Sequence, residues 1–168
     1  KKATEDGILI DVRQSSTLND TIPIQEAAYA RVGIKVKFNI ISSGYYSTVM
    51  NPAKQSDMSA SGWGADWANA STVIPELFAS FGGFNLSQNT NDPAYKAFED
   101  KVNIAMKTTD RKKQADMWKA LDKEAMKNFW VLPTTFGKAQ EIWGSGLGGV
   151  FFWVPQGNPA YGKIWVKK

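Results

Sequence analysis

Apolar and polar positions alternate most cleanly between Ile34 and Ile40, where Ile34, Val36, Phe38 and Ile40 are separated by Lys35, Lys37 and Asn39. A period of two sends alternate side chains to opposite faces, so this segment predicts a β-strand with one wet face. Upstream, Gly7 to Val12 is a short apolar run suited to a buried strand. Ser15 to Asp20 is polar and turn-like. Asn19 or Asp20 is placed to cap a helix with Pro23 in its first turn, Ile24, Ala27 and Ala28 on one face, and Gly33 at its end. Strand, helix and strand in succession predict two parallel, neighbouring strands. A short helix is expected near Tyr45 to Met50. Met58 to Trp63 predicts a third strand running straight into the turn Gly62-Trp63-Gly64-Ala65-Asp66-Trp67.

Beyond that turn the period lengthens to that of a helix. Ser71 opens a short helix containing Ile74, Leu77 and Phe78, and Phe81 to Asn85 reads as a loop. Asp92-Pro93 is a helix start, followed at helical spacing by Tyr95, Phe98, Val102 and Ala105. A further helix begins near Thr109 or Asp110, carries Gln114, Trp118, Leu121 and Ala125 on one stripe, and ends near Asn128. The two predict an antiparallel hairpin, with Met106, Met117 and Met126 filling gaps in its core. Phe129 to Phe136 reads as a strand, with Pro133 marking an edge or an end. From Gly137 onward glycines interrupt scattered aromatics, and Ile164 to Val166 is the last candidate strand. No internal repeat is visible. The expected fold class is α/β, with a lobe over residues 1–136 and a Gly-rich tail over 137–168.

Composition narrows the function more than the fold. The chain has 168 residues, 43% hydrophobic and 21% charged, ordinary for a globular domain. The net charge of +4 comes from 20 Lys+Arg against 16 Asp+Glu, and both signs alternate from Lys96 to Lys127. That alternation reads as a solvated helix surface, so no nucleic-acid partner is expected. There is no His and no Cys, which removes the commonest general base and excludes thiol nucleophiles, disulfides and zinc–thiolate sites. No segment is long and apolar enough to span a membrane. No signal peptide is visible, and Lys1 to Asp6 reads as a cut or a linker, so a fragment of a longer protein is expected.

Catalytic arrangements are hard to find. No Ser-x-x-Lys, Gly-x-Ser-x-Gly or P-loop pattern is present, and no metal-ligand spacing appears. Asp66 and Glu76 are the one carboxylate pair a glycoside-acting enzyme could use, on proximity in the chain alone. The expectation is a binding protein, not an enzyme, with no catalytic residue, metal or cofactor. The Gly62–Trp67 turn is its candidate contact. It follows a predicted strand, where ligands of open α/β sheets bind. Gly62 and Gly64 allow close backbone approach, Trp63 and Trp67 offer apolar faces, and Asp66 holds a negative charge between them. A cation enclosed by a carboxylate and aromatic faces would suit such a turn. On the residues alone a second reading stands beside it: Asp66 caps a turn and both Trp are core.

The stretch Ser61-Gly62-Trp63-Gly64-Ala65-Asp66-Trp67 resembles the Gly-Trp-x-Ala-Asp-Tyr/Trp motif of the extracellular solute-binding protein family 5, the oligopeptide- and dipeptide-binding proteins of ABC importers. Ala30 to Val36 resembles the family's Leu-x-x-x-Gly-Ile-x-Val segment. Asn91-Asp92-Pro93 through Tyr95 and Phe98, Thr109-Asp110-Arg111, and Val131-Leu132-Pro133 resemble later family segments in the same order. The resemblance implies one lobe of a periplasmic-binding-protein-like type II fold, a mixed sheet flanked by helices, with the tail crossing to a missing N-terminal lobe. It implies an extracytoplasmic receptor, in the periplasm or as a cell-surface lipoprotein, that passes a peptide ligand to a membrane permease. Asp66 would meet the peptide's ammonium group, beside Trp63, Gly64, Ala65, Trp67 and, from the next loop, Asn85. Asn69-Ala70 stands where many members carry Asp-Pro or Glu-Pro. The family also contains oligosaccharide, nickel and haem binders; an oligosaccharide is the alternative ligand here.

Overall fold

The structure is a computed structural model that describes residues 5–87, 89–134, 137–138, 140–154 and 157–168. It is mixed α/β, with helices and a small parallel sheet. The chain forms two compact units, 1–62 and 63–168, so the expected division at 136/137 lies inside the second.

In the first unit β1 (Ile8–Arg13) is the central strand. It pairs in parallel with β2 (Val36–Ile41) on one side and β3 (Met58–Ser59) on the other. Ile10 and Val12 are buried, as the apolar run predicts. Asp11 between them is also fully buried, and its carboxylate is satisfied by neutral donors. It accepts from Asn39 Nδ2, Ser56 N and Ser56 Oγ, each at 2.7 Å. The hydroxyl of Tyr45, on the short helix α2 (Tyr45–Val49), reaches the carbonyls of Ala60 and Asp11. Burial, with the Asp11 charge adding to it, pushes the Tyr45 phenol up to about 12.

Two elements of this unit differ from expectation. Helix α1 (Leu18–Ala30) starts from Thr17, because the polar 15–17 turn already collects the N–H groups of Asp20 and Thr21 on the Thr17 carbonyl. Asn19 and Asp20 therefore lie inside the first turn, and Pro23 falls in the helix interior. There Pro23 lacks the N–H that would have met the Asn19 carbonyl. The half-buried stripe becomes Leu18, Ile22 and Tyr29, while Ile24, Ala27 and Ala28 are exposed. The other end is as expected: Gly33 takes a φ of +77°, and Gly33 N and Ile34 N close the helix on Ala30 and Tyr29. Strand β3 is much shorter than Met58 to Trp63. After Ala60 N bonds to Asp11 O, the Ala60 carbonyl is occupied by Tyr45, so the acceptor a longer ladder would use is taken.

The second unit is helical around one core. A 3₁₀ turn (Ala70–Thr72) leads into α3 (Ile74–Phe78), then α4 (Tyr95–Lys107) and α5 (Arg111–Lys127). Ile74, Phe78, Phe98, Val102, Ala105, Trp118, Leu121 and Ala125 form the core, the stripes that the 3.6-residue period predicts. Lys101 meets Glu124 at 2.8 Å and Ala105 O accepts from Gln114 at 3.0 Å, so α4 and α5 run antiparallel. Asp110 caps α5 through Lys113 N at 3.0 Å. Met117 packs on the core, whereas Met106 is exposed, being one position round the helix from the core-facing Ala105.

Residues 129–134 form no strand, and Thr135 and Phe136 lie outside the described residues. The cause is the way α5 ends. Phe129 N bonds to Met126 O and Trp130 N to Ala125 O, with Phe129 at a φ of 59°. This is the paired closure of a helix with a left-handed residue, normally Gly, at its exit. It turns Trp130 back onto the core, where its ring lies 4.9 Å from Phe98 and its Nε1 donates to Asp92 at 3.0 Å. A bond from Ala94 N, and after it the one from Trp130, hold the Asp92 carboxyl below its usual range. In the tail, β4 (Leu147–Gly148) pairs antiparallel with β7 (Trp165–Val166), and β5 (Phe152–Trp153) with β6 (Asn158–Pro159). Gly148 lies flat under Trp165, where an added Cβ would come within 2.6 Å of the indole nitrogen.

Candidate functional site

Trp63 to Trp67 opens the second unit and is organised by a residue that carries no sequence signal, Thr72. Thr72 is 2% exposed and sits in the 3₁₀ turn that follows. Its hydroxyl donates to Asp66 Oδ2 at 2.6 Å and accepts from Asp66 N at 3.1 Å. Its carbonyl accepts from Trp63 Nε1 at 2.8 Å. One short turn thus fixes both the carboxylate and the first Trp of the motif. Trp63 also lies on Phe84, with ring centroids 5.0 Å apart.

The remaining motif residues face outward. Asp66 is exposed, and among the described residues it makes no ion pair. Trp67 is 58% exposed. Ala65 is half-buried. Gly62 and Gly64 are exposed, neither has a positive φ, and a Cβ added to either meets nothing within 4 Å. The fold of the chain therefore does not itself demand glycine at these positions. Asn85 lies in the loop that carries Phe84 to Trp63. Its Nδ2 donates to Asn89 Oδ1 at 2.9 Å, and its Oδ1 accepts from Ser87 at 2.8 Å. The second carboxylate considered from the sequence, Glu76, accepts from Gly83 N at 2.9 Å and so closes its own loop.

Asn69, the departure from the family pattern, has a structural task. Its Oδ1 accepts from Ser71 N at 2.9 Å and its Nδ2 donates to Gln114 Oε1 at 2.8 Å. This ties the motif loop to the first turns of α5. Beside that tie is an open cavity of about 530 Å³, lined by Trp67, Ala68 and Asn69 from the loop and by Thr108, Thr109, Arg111 and Gln114 from the helical hairpin. Sequence reasoning missed it because its two walls lie some forty residues apart. In the first unit a cavity of about 390 Å³ is lined by Gln14, Ser15, Ser16, Leu18, Asn19 and Ile40, with no charged group.

Among the described residues, no group of His, Cys, Asp and Glu could hold a metal ion, and no helix is long and apolar enough to cross a membrane. No family model matches the chain, and no curated protein or solved structure does either.

Proposed function

We propose that this chain is a lobe of an extracytoplasmic solute receptor of the extracellular solute-binding protein family 5 kind. It captures short peptides against a second lobe and delivers them to a membrane ABC permease. The observation that carries this reading is the state of Asp66. Its carboxylate is oriented by a buried threonine, makes no ion pair among the described residues, and stands beside an exposed indole. A peptide ammonium completes such a site, since a charge-assisted hydrogen bond to a fixed carboxylate is stronger than one between neutral groups. The order of motifs along the chain supports the family assignment. In this reading the fold is a type II periplasmic-binding-like lobe. The exposed aromatics of the tail, among them Trp143, Trp153 and Trp165, belong to the crossing toward the N-terminal lobe. The lobe alone binds weakly, because half of the enclosing surface belongs to the other lobe.

Calorimetry with di- and tripeptides on this chain and on Asp66→Ala tests the proposal. Loss of binding in the variant is expected; equal affinity sinks the role of Asp66. The exposure of Trp67 favours a second reading, an oligosaccharide stacked on the indole face. Binding of cello-oligosaccharides that survives Asp66→Ala would select it.

A further inference from the structure

Gln114 is a polar residue at the head of an apolar stripe, one turn before Trp118 on α5, and it is half-buried. An amide in that position weakens the fold unless both its ends are bonded. Both are. Its Nε2 donates to the carbonyl of Ala105 at 3.0 Å, and Ala105 is fully buried near the end of α4, so this anchor is fixed. Its Oε1 accepts from Asn69 Nδ2 at 2.8 Å. Asn69 is the junction of the motif loop. Its N–H donates to the Trp67 carbonyl at 2.7 Å, and its own carbonyl accepts from Thr72 N at 3.2 Å. Its Oδ1 caps the 3₁₀ turn through Ser71 N at 2.9 Å. Asn69 is thus bonded both to the residue that bears the exposed indole and to the one that orients Asp66. Among the described residues, its bond to Gln114 is the one side-chain hydrogen bond from residues 63–72 to the α4–α5 hairpin.

We propose that Gln114 is a positioning residue for the ligand site: through Asn69 it holds the Asp66 carboxylate and the Trp67 indole in their binding geometry. Side chains that meet a ligand need others to lock them in place, and Gln114 fills that role from a neighbouring helix. The path consists of hydrogen bonds. Gln114 holds the Asn69 side chain, Asn69 holds Ser71 N and Thr72 N, and the Thr72 hydroxyl holds the Asp66 carboxylate. Without Gln114 the Asn69 side chain is free to rotate away from Ser71 N. The 3₁₀ turn then loosens, and Thr72 and Asp66 loosen with it. The effect on binding rests on the reading that Asp66 holds a ligand ammonium; the effect on the loop does not.

The test has two readouts. Hydrogen exchange of the Ser71 and Asp66 amides in the ligand-free chain reads the loop, and calorimetry with Ala-Ala reads binding. Gln114→Met keeps the side-chain length and removes both hydrogen bonds. It is expected to speed exchange at the two amides about tenfold and to weaken Ala-Ala about tenfold. Leu121→Val, in the same core, controls for a general loss of stability. It is expected to lower the melting temperature and leave both readouts unchanged. Asn69→Asp combined with Gln114→Arg rebuilds the bridge as an ion pair. The carboxylate still accepts from Ser71 N, and the guanidinium donates both to it and to the Ala105 carbonyl. This pair is expected to restore both readouts. Unchanged exchange in Gln114→Met, equal changes in Leu121→Val, or no recovery in the paired variant overturns the inference. Faster exchange with unchanged affinity also overturns it, because Gln114 then steadies the loop without serving the site. If Ala-Ala binds no form of the chain, or binds equally well when N-acetylated, the ammonium reading falls instead, and exchange alone decides whether Gln114 positions the loop.

Discussion

Thr72 and Asp66 hold each other by two hydrogen bonds through one hydroxyl, which donates to the Asp66 carboxylate at 2.6 Å and accepts from the Asp66 N–H at 3.1 Å. Because Thr72 is buried and Asp66 exposed, the threonine is the fixed partner and the aspartate the positioned one. Thr72→Val keeps the shape and removes the hydroxyl. Its expected cost in stability is about 1 kcal/mol, the net worth of an ordinary hydrogen bond. Peptide affinity should fall about tenfold as the carboxylate loses its orientation. Thr72→Ser should restore most of both, and chemical denaturation alongside calorimetry separates the two effects.

The glycines of the motif give a sharper contrast between folding and binding. An added Cβ at Gly64 meets no atom of the chain within 4 Å and faces no positive φ. Gly64→Ala should therefore change stability by less than about 0.5 kcal/mol, as surface substitutions usually do. If ligand backbone approaches there, the same methyl should reduce affinity about tenfold. A variant with unchanged melting and unchanged affinity would show that the ligand does not come near Gly64.

Phe129 stands in a left-handed conformation at the exit of α5 and is 91% exposed. Such a conformation costs an L-residue about 1–2 kcal/mol, and an exposed phenyl ring returns little of it. Phe129→Gly should raise stability, by about 0.5–1 kcal/mol once the greater freedom of glycine in the unfolded chain is subtracted. Thermal unfolding of the variant measures this; a lowered midpoint contradicts the account of the helix end.

The pH response of the first unit follows from Tyr45, whose phenol is raised from 10.0 to about 12. A raised value means that the fold favours the neutral phenol. Its contribution is complete below pH 10 and is lost as pH rises toward and through 12. Denaturation midpoints should fall across that window, and Tyr45→Phe should flatten the fall while lowering stability at neutral pH. An equally steep fall in the variant would assign the effect to other groups.

What the sequence made legible were the periodic elements. The Trp118, Leu121 and Ala125 stripe and the Ile34–Phe38 alternation are visible because burial repeats at a fixed interval. The errors lie where one side chain overrides a pattern. Thr17 starts α1 before the better caps, Tyr45 stops β3 by occupying a carbonyl, and Phe129 turns the chain out of an apolar run that reads as a strand. The motif turn was legible as a candidate, but its organisation was not. Thr72 lies in a 3₁₀ turn with no periodicity to mark it, and Arg111 reaches the cavity through the antiparallel pairing of α4 and α5. The two Trp of the turn also differ in a way that no sequence pattern marks. Trp63 has its N–H bonded within the turn, while Trp67 presents its ring to solvent.

The central claim is that Asp66 recognises a ligand ammonium. It is tested most directly by comparing the affinity of a free dipeptide and its N-acetylated form for this chain and for Asp66→Asn. The account predicts that acetylation weakens binding to the unaltered chain at least about tenfold, the loss of one charged hydrogen bond, and that Asp66→Asn removes most of this difference. Equal affinity of both forms for the unaltered chain, or a difference that persists undiminished in Asp66→Asn, would contradict it.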